Sequence, residues 1–347
     1  MSDFFYPTRP PNKSRGAADA EHIVASSSAN NMATIEDARL PRPVITFQPP
    51  SSNTDFGIMH FMLFSSTHSA KNQIIGTDQR GNTLLYSMDS HTIRVMPTLN
   101  QPKRMPLSLT VGDSLYVMDI FPRPSDTKCF EALTHGCASS DPFSRRDWHW
   151  HTLPPPPHIF EPGYELPSGY IRSSTVVGHS NICVSAGNIG TYSFDTMSRV
   201  WSKAGDWVLP FLGRAEYIPE YNLWFGLSYA DNQLLCASDL SVTSELKPPT
   251  LCHVWEDNLR TPEDWVRGMA YVVHLGSGKF CVARFFKTPE EEPCVDGRFS
   301  CRESDMFAVL TGVEVERCGK AGRGGLRMIT HRSKQYRLAN KLLVLVL

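Results

Sequence analysis

The stretch "GTYSFDTMSRVWSKAGDWVLP", Gly190 to Pro210, holds the pattern that decides the fold. An aromatic–aspartate pair, Phe194-Asp195, ends one apolar run, and Trp201 opens the next after a polar break. β-branched and aromatic residues on both sides of a short polar break read as strand, turn, strand. The theme recurs along the chain. Aligning Asp89 with Asp195 places Val95 on Trp201, and Asp239 is followed by Leu246 at one residue more than that spacing.

Working outward, "NQIIGTDQRGNTLLYSMDSHTIRVMP" predicts three strands, with the first turn at Gln79–Asn82. "LSLTVGDSLYVMDIF" turns at Gly112-Asp113, "STVVGHSNICVSA" at Gly178-His179 and "AEYIPEYNLWFGLSY" at Pro219-Glu220. "MAYVVHLGSGKFCVARFF" turns at Gly276-Ser277-Gly278, and "MFAVLTGVEVER" keeps the outline with Gly312 at its expected turn. Each break supplies two to four turn formers between apolar runs, as a tight hairpin requires. The corners are spaced unevenly, by about 34, 66, 41 and 56 residues. The longer gaps hold the Pro-rich "WHTLPPPPHIFEPGYELPSG" and the acidic "FKTPEEEPCVDGRFSCRESD", which read as loop insertions. A period of about 40–50 residues built from short strands is the signature of a β-propeller. A single four-stranded blade cannot bury both faces, so blades must stack around an axis. The expectation is an all-β chain whose propeller of five to six blades spans residues 57–347. The sixth blade would come from the C-terminal strands and "FGIMHFMLF". Residues 1–56, rich in Ser, Ala, Asn and Pro without periodicity, read as a disordered extension.

Composition narrows the function classes. A chain of 347 residues with 41% hydrophobic and 20% charged residues can bury a large core as a globular protein. A net charge of −1 gives no whole-protein attraction to nucleic acid or an acidic membrane. "MSDFFYPTRPPNKSRG" lacks a secretory signal, and no run of about twenty apolar residues predicts a membrane span. The nine cysteines are odd in number and evenly scattered, which fits reduced thiols in the cytoplasm or nucleus. Cys183, Cys236 and Cys281 sit in apolar runs, where a free thiol behaves as a small hydrophobe.

The Phe194-Asp195…Trp201 turn resembles the kelch repeat, in which an aromatic–Asp turn precedes a tryptophan that packs between blades. The likeness spans roughly residues 58–317, although the paired glycines of the second kelch strand are absent. The wording of "TYSFDTMSRVWSKAGDWVLPFLGRAEYIPEYNLWFGLSYADNQLLCASDL" is similar to a family of uncharacterised plant kelch-like β-propeller proteins, abundant in grasses and built on a domain of unknown function. That resemblance implies a fold and a lineage, with no agreed activity. Some of those relatives carry an N-terminal F-box. Here "LPRPVITF" (Leu40–Phe47) shows the opening Leu-Pro without the helical pattern that should follow, so no F-box is assigned.

The chemistry-bearing motifs are few. In "DWHWHTL", Asp147, His149 and His151 would share one face of a strand. That triplet could begin a metal site, but alternation with Trp148 and Trp150 is also what an outer blade strand shows. The Cys129/Cys137 and Cys294/Cys301 spacings lack zinc-site form. "CGKAGRGGLR" (Cys318–Arg327) lacks the Gly-Lys-Ser/Thr ending of a phosphate loop and reads as a flexible connector. The segment 317–347 has eight Lys or Arg and no Asp or Glu, a charge asymmetry that could contact phosphates. Tetraproline Pro154–Pro157 reads as polyproline II, and "PEEEP" around Glu290–Glu292 as a solvated loop tip. No nucleophile–base signature appears, and a channel site assembled from several blades would leave none.

The reading is therefore a non-catalytic protein–protein interaction platform, with no cofactor or metal expected. The expected partner is another protein; nucleic-acid binding through the basic C-terminal segment and a channel-site enzyme are the alternatives. The binding rim is placed at equivalent turns, marked by Asp113, His179, Glu220 and Ser277.

Overall fold

In a computed structural model of the chain, residues 4–5, 35–50, 57–65, 73–137, 146–166, 168–187, 189–230, 232–241, 248–256, 259, 261–288, 305–318, 325–338 and 344–345 are described. A short strand, β1 (Ile35–Ala38), comes first. The first meander is β2 (Met59–Phe64), β3 (Gln73–Asp78), β4 (Thr83–Ser87) and β5 (Thr92–Met96). The second is β6 (Pro106–Val111), β7 (Ser114–Asp119), β8 (Phe130–Cys137) and β9 (Arg146–Thr152). The third is β10 (Ile171–Val177), β11 (Asn181–Ala186), β12 (Gly190–Asp195) and β13 (Val200–Gly205). The fourth is β14 (Phe211–Ile218), β15 (Leu223–Ser228), β16 (Leu235–Ser238) and β17 (Leu251–Trp255). The fifth is β18 (Val266–Gly276), β19 (Lys279–Lys287), β20 (Met306–Arg317) and β21 (Leu326–Leu338), and β22 (Val344–Leu345) follows it. Within every meander, neighbours in sequence pair antiparallel.

By contacts the chain forms two compact units. Arg42–Trp255 with Lys341–Leu347 holds the first four meanders, and Met1–Pro41 with Glu256–Asn340 holds the fifth. In the four-meander unit the first strands are successive neighbours: β2 lies by β6, β6 by β10, and β10 pairs in parallel with β14 through Ser173 and Gly213. This is the propeller arrangement, with each blade's first strand innermost. The fold is all-β and of propeller type.

Both faces of the interior sheets are apolar, and alternation along the strands assigns each face to a neighbour. Leu115, Val117 and Leu133 of the second sheet join Met62, Phe64, Ile75 and Leu85 of the first. Their sequence neighbours Met118, Phe130 and Ala132 join Ile182, Val184, Tyr192 and Phe194 of the third. Cys183 of the third sheet meets Phe211, Ala215, Trp224 and Cys236 of the fourth.

Three tryptophans tie consecutive sheets by hydrogen bonds as well as by area. Trp150 Nε1 donates to the Pro97 carbonyl just past β5 at 2.9 Å. Trp201 Nε1 donates to the Pro154 carbonyl just past β9 at 2.9 Å. Trp224 Nε1 donates to the Val176 carbonyl in β10 at 2.8 Å. Trp201 also meets Phe194 at 5.1 Å and Phe130 at 5.7 Å between ring centres, so it is wedged between the third and second sheets. The tryptophan expected between blades is found there. Its turn is made by Asp195, whose carboxylate accepts the Met197 N–H and the Ser198 hydroxyl, each at 2.9 Å. Arg199 completes the turn in the left-handed region, at φ 59°.

A buried ion pair fastens the connector between the first and second sheets. Lys103 and Glu131 are 3% and 0% exposed. The Lys103 ammonium donates to Glu131 and to the Gln101 and Lys128 carbonyls. The Glu131 carboxylate also accepts both the N–H and the side-chain amide of Asn100, and the Gln101 N–H. Every hydrogen-bonding position of the pair is filled, which is what makes a buried pair tolerable.

The fifth sheet has its own core of Phe280, Val282, Phe286, Val309 and Val313. Trp265 stacks on Phe307 with ring centres 4.7 Å apart. β1 extends this sheet in parallel with β21, Ile35 opposite Ser333. Phe5 packs on His331 at 5.0 Å, and Lys279 and Lys334 sit over the Phe5 and Phe4 rings. The stretch expected to be disordered thus contributes β1 and these two aromatics, and most of its remainder lies outside the described residues.

Four expectations change. Gly312 is not a turn: β20 runs unbroken through it, with a register shift between Thr311 and Val313. A side chain there would meet the Phe4 carbonyl at 2.9 Å, so glycine is required by close approach. "FGIMHFMLF" supplies β2 of the first sheet, where only β22 of the C-terminal strands joins it, His60 opposite Val344. The Gln79–Asn82 corner joins second to third strands, whereas the later corners join first to second, which explains the short first gap. The described part of the basic C-terminal segment is largely β21, and its Arg327 and Arg337 pair with Glu316 and Asp305.

Two outcomes follow for stability. Trp201→Ala should cost about 3–5 kcal/mol and Trp201→Phe about 1 kcal/mol in urea unfolding, the smaller figure being the indole hydrogen bond. A loss below about 1 kcal/mol for the alanine variant would contradict the wedge. Glu131→Ala should cost about 3–5 kcal/mol by stranding the Lys103 charge, and adding Lys103→Met should recover most of it. No recovery in the double variant would show that the pair is not the cause.

Candidate functional site

The expected rim residues fall on topologically equivalent turns. Asp113 lies between β6 and β7, His179 between β10 and β11, Glu220 between β14 and β15, and Ser277 between β18 and β19 of the other unit. Gly112 and Gly178 take φ of 56° and 64° to close their turns, and Ser277 adopts φ 51° without glycine. Because β10 and β14 run parallel, the turns of His179 and Glu220 leave the same end of their sheet. The β12–β13 turn joins that end, since the Thr196 N–H donates to the Ser180 carbonyl at 3.0 Å. Beside these turns Met197 is 83% exposed and Met88 49%.

Between the second and third sheets, polar side chains of both gather at this end. The register places Tyr116, Ala132 and His151 in one row across β7, β8 and β9, and Thr134 beside His149. Trp148 and Trp150 face the first sheet's core, so His149 and His151 turn toward the third sheet. Their ring centres are 6.5 Å apart. From the third sheet, Thr196 hydrogen-bonds the Tyr116 hydroxyl and Arg199 stands close to it. Phe130, Phe194 and Trp201 form the aromatic floor below.

The charged neighbours that act on His151 are of one sign. Burial, then Arg199 and His149, hold the His151 pKa below its ordinary value. Asp147, expected on the same face, pairs with Arg94 at 2.6 Å and accepts the Trp148 N–H at 2.7 Å. That backbone hydrogen bond first, and Arg94 after it, lower its pKa. Asp147 is thus committed to the first sheet. Among the described residues, no group of three or more His, Cys, Asp or Glu could hold a metal ion.

None of the seven described cysteines forms a disulfide, and burial pushes Cys129 up to about 12 and Cys281 to about 11. Cys294 and Cys301 lie outside the described residues, as do Glu290–Glu292, Leu246 and most of the Gly-rich connector.

One further buried group is set by the Pro-rich connector after β9. Pro154–Pro156 lead into a single 3-10 turn, Pro157–Phe160, which carries His158. His158 is 0% exposed, both ring nitrogens lack partners, and it packs on Tyr164 and Tyr192 at 5.6 and 5.7 Å. Burial alone lowers its pKa to about 4.

Sequence reasoning named His149, His151, Asp113 and His179 but missed Arg199, Tyr116, Lys103 and Glu131. The signal for Arg199 was the turn itself, since it is the last turn residue before the β13 that carries Trp201.

Residues 2–336 match a family described as "Protein of unknown function (DUF1668)", and the chain belongs to that family. No curated protein matches the sequence. Among solved structures, an auxiliary nutrient binding protein from Bacteroides thetaiotaomicron is similar at 13% identity and a TM-score of 0.37. That match covers 78% of this chain and 61% of the other, so this chain spans less than two thirds of its length. The major Malassezia sympodialis allergen Mala s 1 is similar at 10% identity and a TM-score of 0.38, over 78% of this chain and 90% of that one.

His158 predicts acid sensitivity. Its folded pKa of about 4 lies below the unfolded value of about 6.5, so the unfolded chain binds the proton first. Its contribution is complete above about pH 6.5 and is lost as pH falls toward 4, a decline of about 3 kcal/mol. Urea midpoints at pH 7.5, 5.5 and 4.5 should show that slope, and His158→Leu should flatten it. An equal slope in both proteins would refute the assignment.

Proposed function

We propose that this DUF1668 member is a non-catalytic platform that grips a protein partner with one end of its blades. The observation that carries the reading is mechanical. The turns at Gly112–Asp113, Gly178–Ser180, Thr196–Arg199 and Pro219–Asn222 hang from strands whose interior faces are packed on both sides. Loops on such a scaffold are presented without paying to order a flexible segment. Exposed Met197 and Met88 beside charged turns supply the mixture of adaptable apolar and polar contact that interfaces use.

Nothing specific favours the alternatives. The basic strand β21 has Arg327 and Arg337 paired within its own sheet. Truncating it would remove a structural strand rather than a tail, so salt-dependent binding would need charge reversal to test.

The test is affinity capture by the full chain beside a rim variant, His179→Ala/Met197→Ser/Glu220→Ala, with thermal unfolding as the folding control. The expected result is a partner whose recovery falls at least tenfold in the rim variant at unchanged Tm. Equal recovery by both proteins would overturn the rim reading. The N-terminal stretch is kept in both proteins, because Phe4, Phe5 and β1 all belong to the fifth sheet's packing.

A further inference from the structure

We propose that the cleft between the second and third sheets is a phosphate-reading subsite, in which His149, His151 and Arg199 take a phosphorylated side chain of the partner. The inference rests on the platform reading and names the chemistry the platform selects.

Three facts converge on an anion. First, two imidazoles project from alternate positions of β9 with ring centres 6.5 Å apart, a span that a tetrahedral group can bridge with two different oxygens. Second, Arg199 stands close enough to act on the His151 charge from the β12–β13 turn, where its own N–H donates to the Asp195 carbonyl at 2.7 Å. Third, the His149 Nε2 is buried and has no hydrogen-bond partner, so the site holds an unspent donor or acceptor. A guanidinium and two imidazoles that can each donate form the donor set used for phosphate recognition.

The surrounding charges leave this set uncompensated. On the second sheet, Asp147 is committed to Arg94, and Tyr116 shares its hydroxyl with Thr196. On the third, Lys203 pairs with Asp206 at 2.8 Å and Glu161 accepts the Tyr192 hydroxyl at 3.1 Å. Asp147 and Glu161 are therefore already engaged, and a dianion brings the charge that the two histidines and Arg199 lack. A phosphate monoester suits this better than a carboxylate, having two charges and three free oxygens for three donors.

The mechanism also sets the pH response. His151 is held below its ordinary pKa by burial and by its basic neighbours, so it enters the complex neutral near pH 7.5 and must gain a proton to donate twice. A bound dianion favours the protonated form of His151, and by linkage binding strengthens as pH falls, up to tenfold per unit for that proton.

The experiment uses the full chain and a degenerate phosphoserine peptide library, beside the unphosphorylated library, a glutamate-substituted library and inorganic phosphate. Binding is followed by fluorescence polarisation and by the histidine ring NMR signals. The variants are His149→Gln/His151→Gln and Arg199→Asn, asparagine being chosen because it tolerates the φ of 59° at that turn. The expected result is phosphopeptide binding at least tenfold above both control libraries. It should tighten about tenfold from pH 8 to 6.5, the range in which the phosphate stays largely dianionic, with ring shifts of His149 and His151, and fall tenfold or more in each variant at unchanged Tm. Equal binding of the glutamate library, binding of inorganic phosphate alone, or pH- and variant-independent binding would overturn the proposal. If the cleft variants leave partner capture intact while the rim variant abolishes it, the subsite fails and the platform stands; if neither affects capture, both fail.

Discussion

The structure depends on a constraint that no single blade can meet: a four-stranded sheet with apolar residues on both faces is unstable until each face is covered. In the four-meander unit the cover comes from the next sheet along, and the tryptophan ties set how each pair of sheets meets. Burial alone is non-directional and would allow the sheets to slide. An indole N–H aimed at one carbonyl of the neighbouring sheet does not. Trp150 and Trp201 repeat the device at the same place, from a fourth strand to a proline carbonyl just beyond the previous fourth strand. The proline nitrogen has no hydrogen to donate, so its carbonyl is the group left to be satisfied at that exit.

This device explains how far the fold could be read. Phe194, Asp195 and Trp201 form a local signature because turn, strand end and wedge fall within eight residues. Asp239 likewise follows a third strand and accepts the Ser241 N–H at 2.8 Å, as Asp195 accepts that of Met197. In the first sheet the match moves by two residues: Ser87, not Asp89, ends the third strand, and Ile93, 51% exposed and opposite Tyr86, stands at the Trp201 position instead of Val95. The repeat was therefore legible in its turns and fades in its wedges. What could not be read depends on contacts distant in sequence. Gly312 looks like a corner by composition, and only the approach of Phe4 reveals it as a bulge in a long strand. β1 has just four residues and gains its partner from a strand about 300 residues away, so no local pattern announces it.

The site divides along the same line. The alternation of "DWHWHTL" correctly separated histidines from tryptophans, but periodicity alone cannot say which face meets which neighbour. Packing decides it: Trp148 and Trp150 join the first sheet's core, and the histidines are left to the opposite cleft. That also separates Asp147 from the histidines in function, although it shares their parity. Being at the sheet edge, it can reach Arg94 on the first sheet. A carboxylate drawn away in this manner turns a candidate metal triplet into a basic pair.

Lys103–Glu131 and His158 show the opposite use of polar groups in the same unit. The ion pair is saturated by five further hydrogen bonds with backbone and Asn100, so it fixes a connector and has nothing to offer a ligand. His158 is sealed among tyrosines with neither nitrogen satisfied, so it costs stability whenever it is protonated. His149 and His151 lie between these extremes, anchored by their strand, with His151 exposed and the His149 Nε2 buried but unpartnered. A polar group completes a scaffold when its valences are filled internally, and it can recognise a partner when the scaffold holds it still and leaves a valence free. By that criterion the basic cleft, and neither buried feature, is where this unit is equipped to meet another molecule.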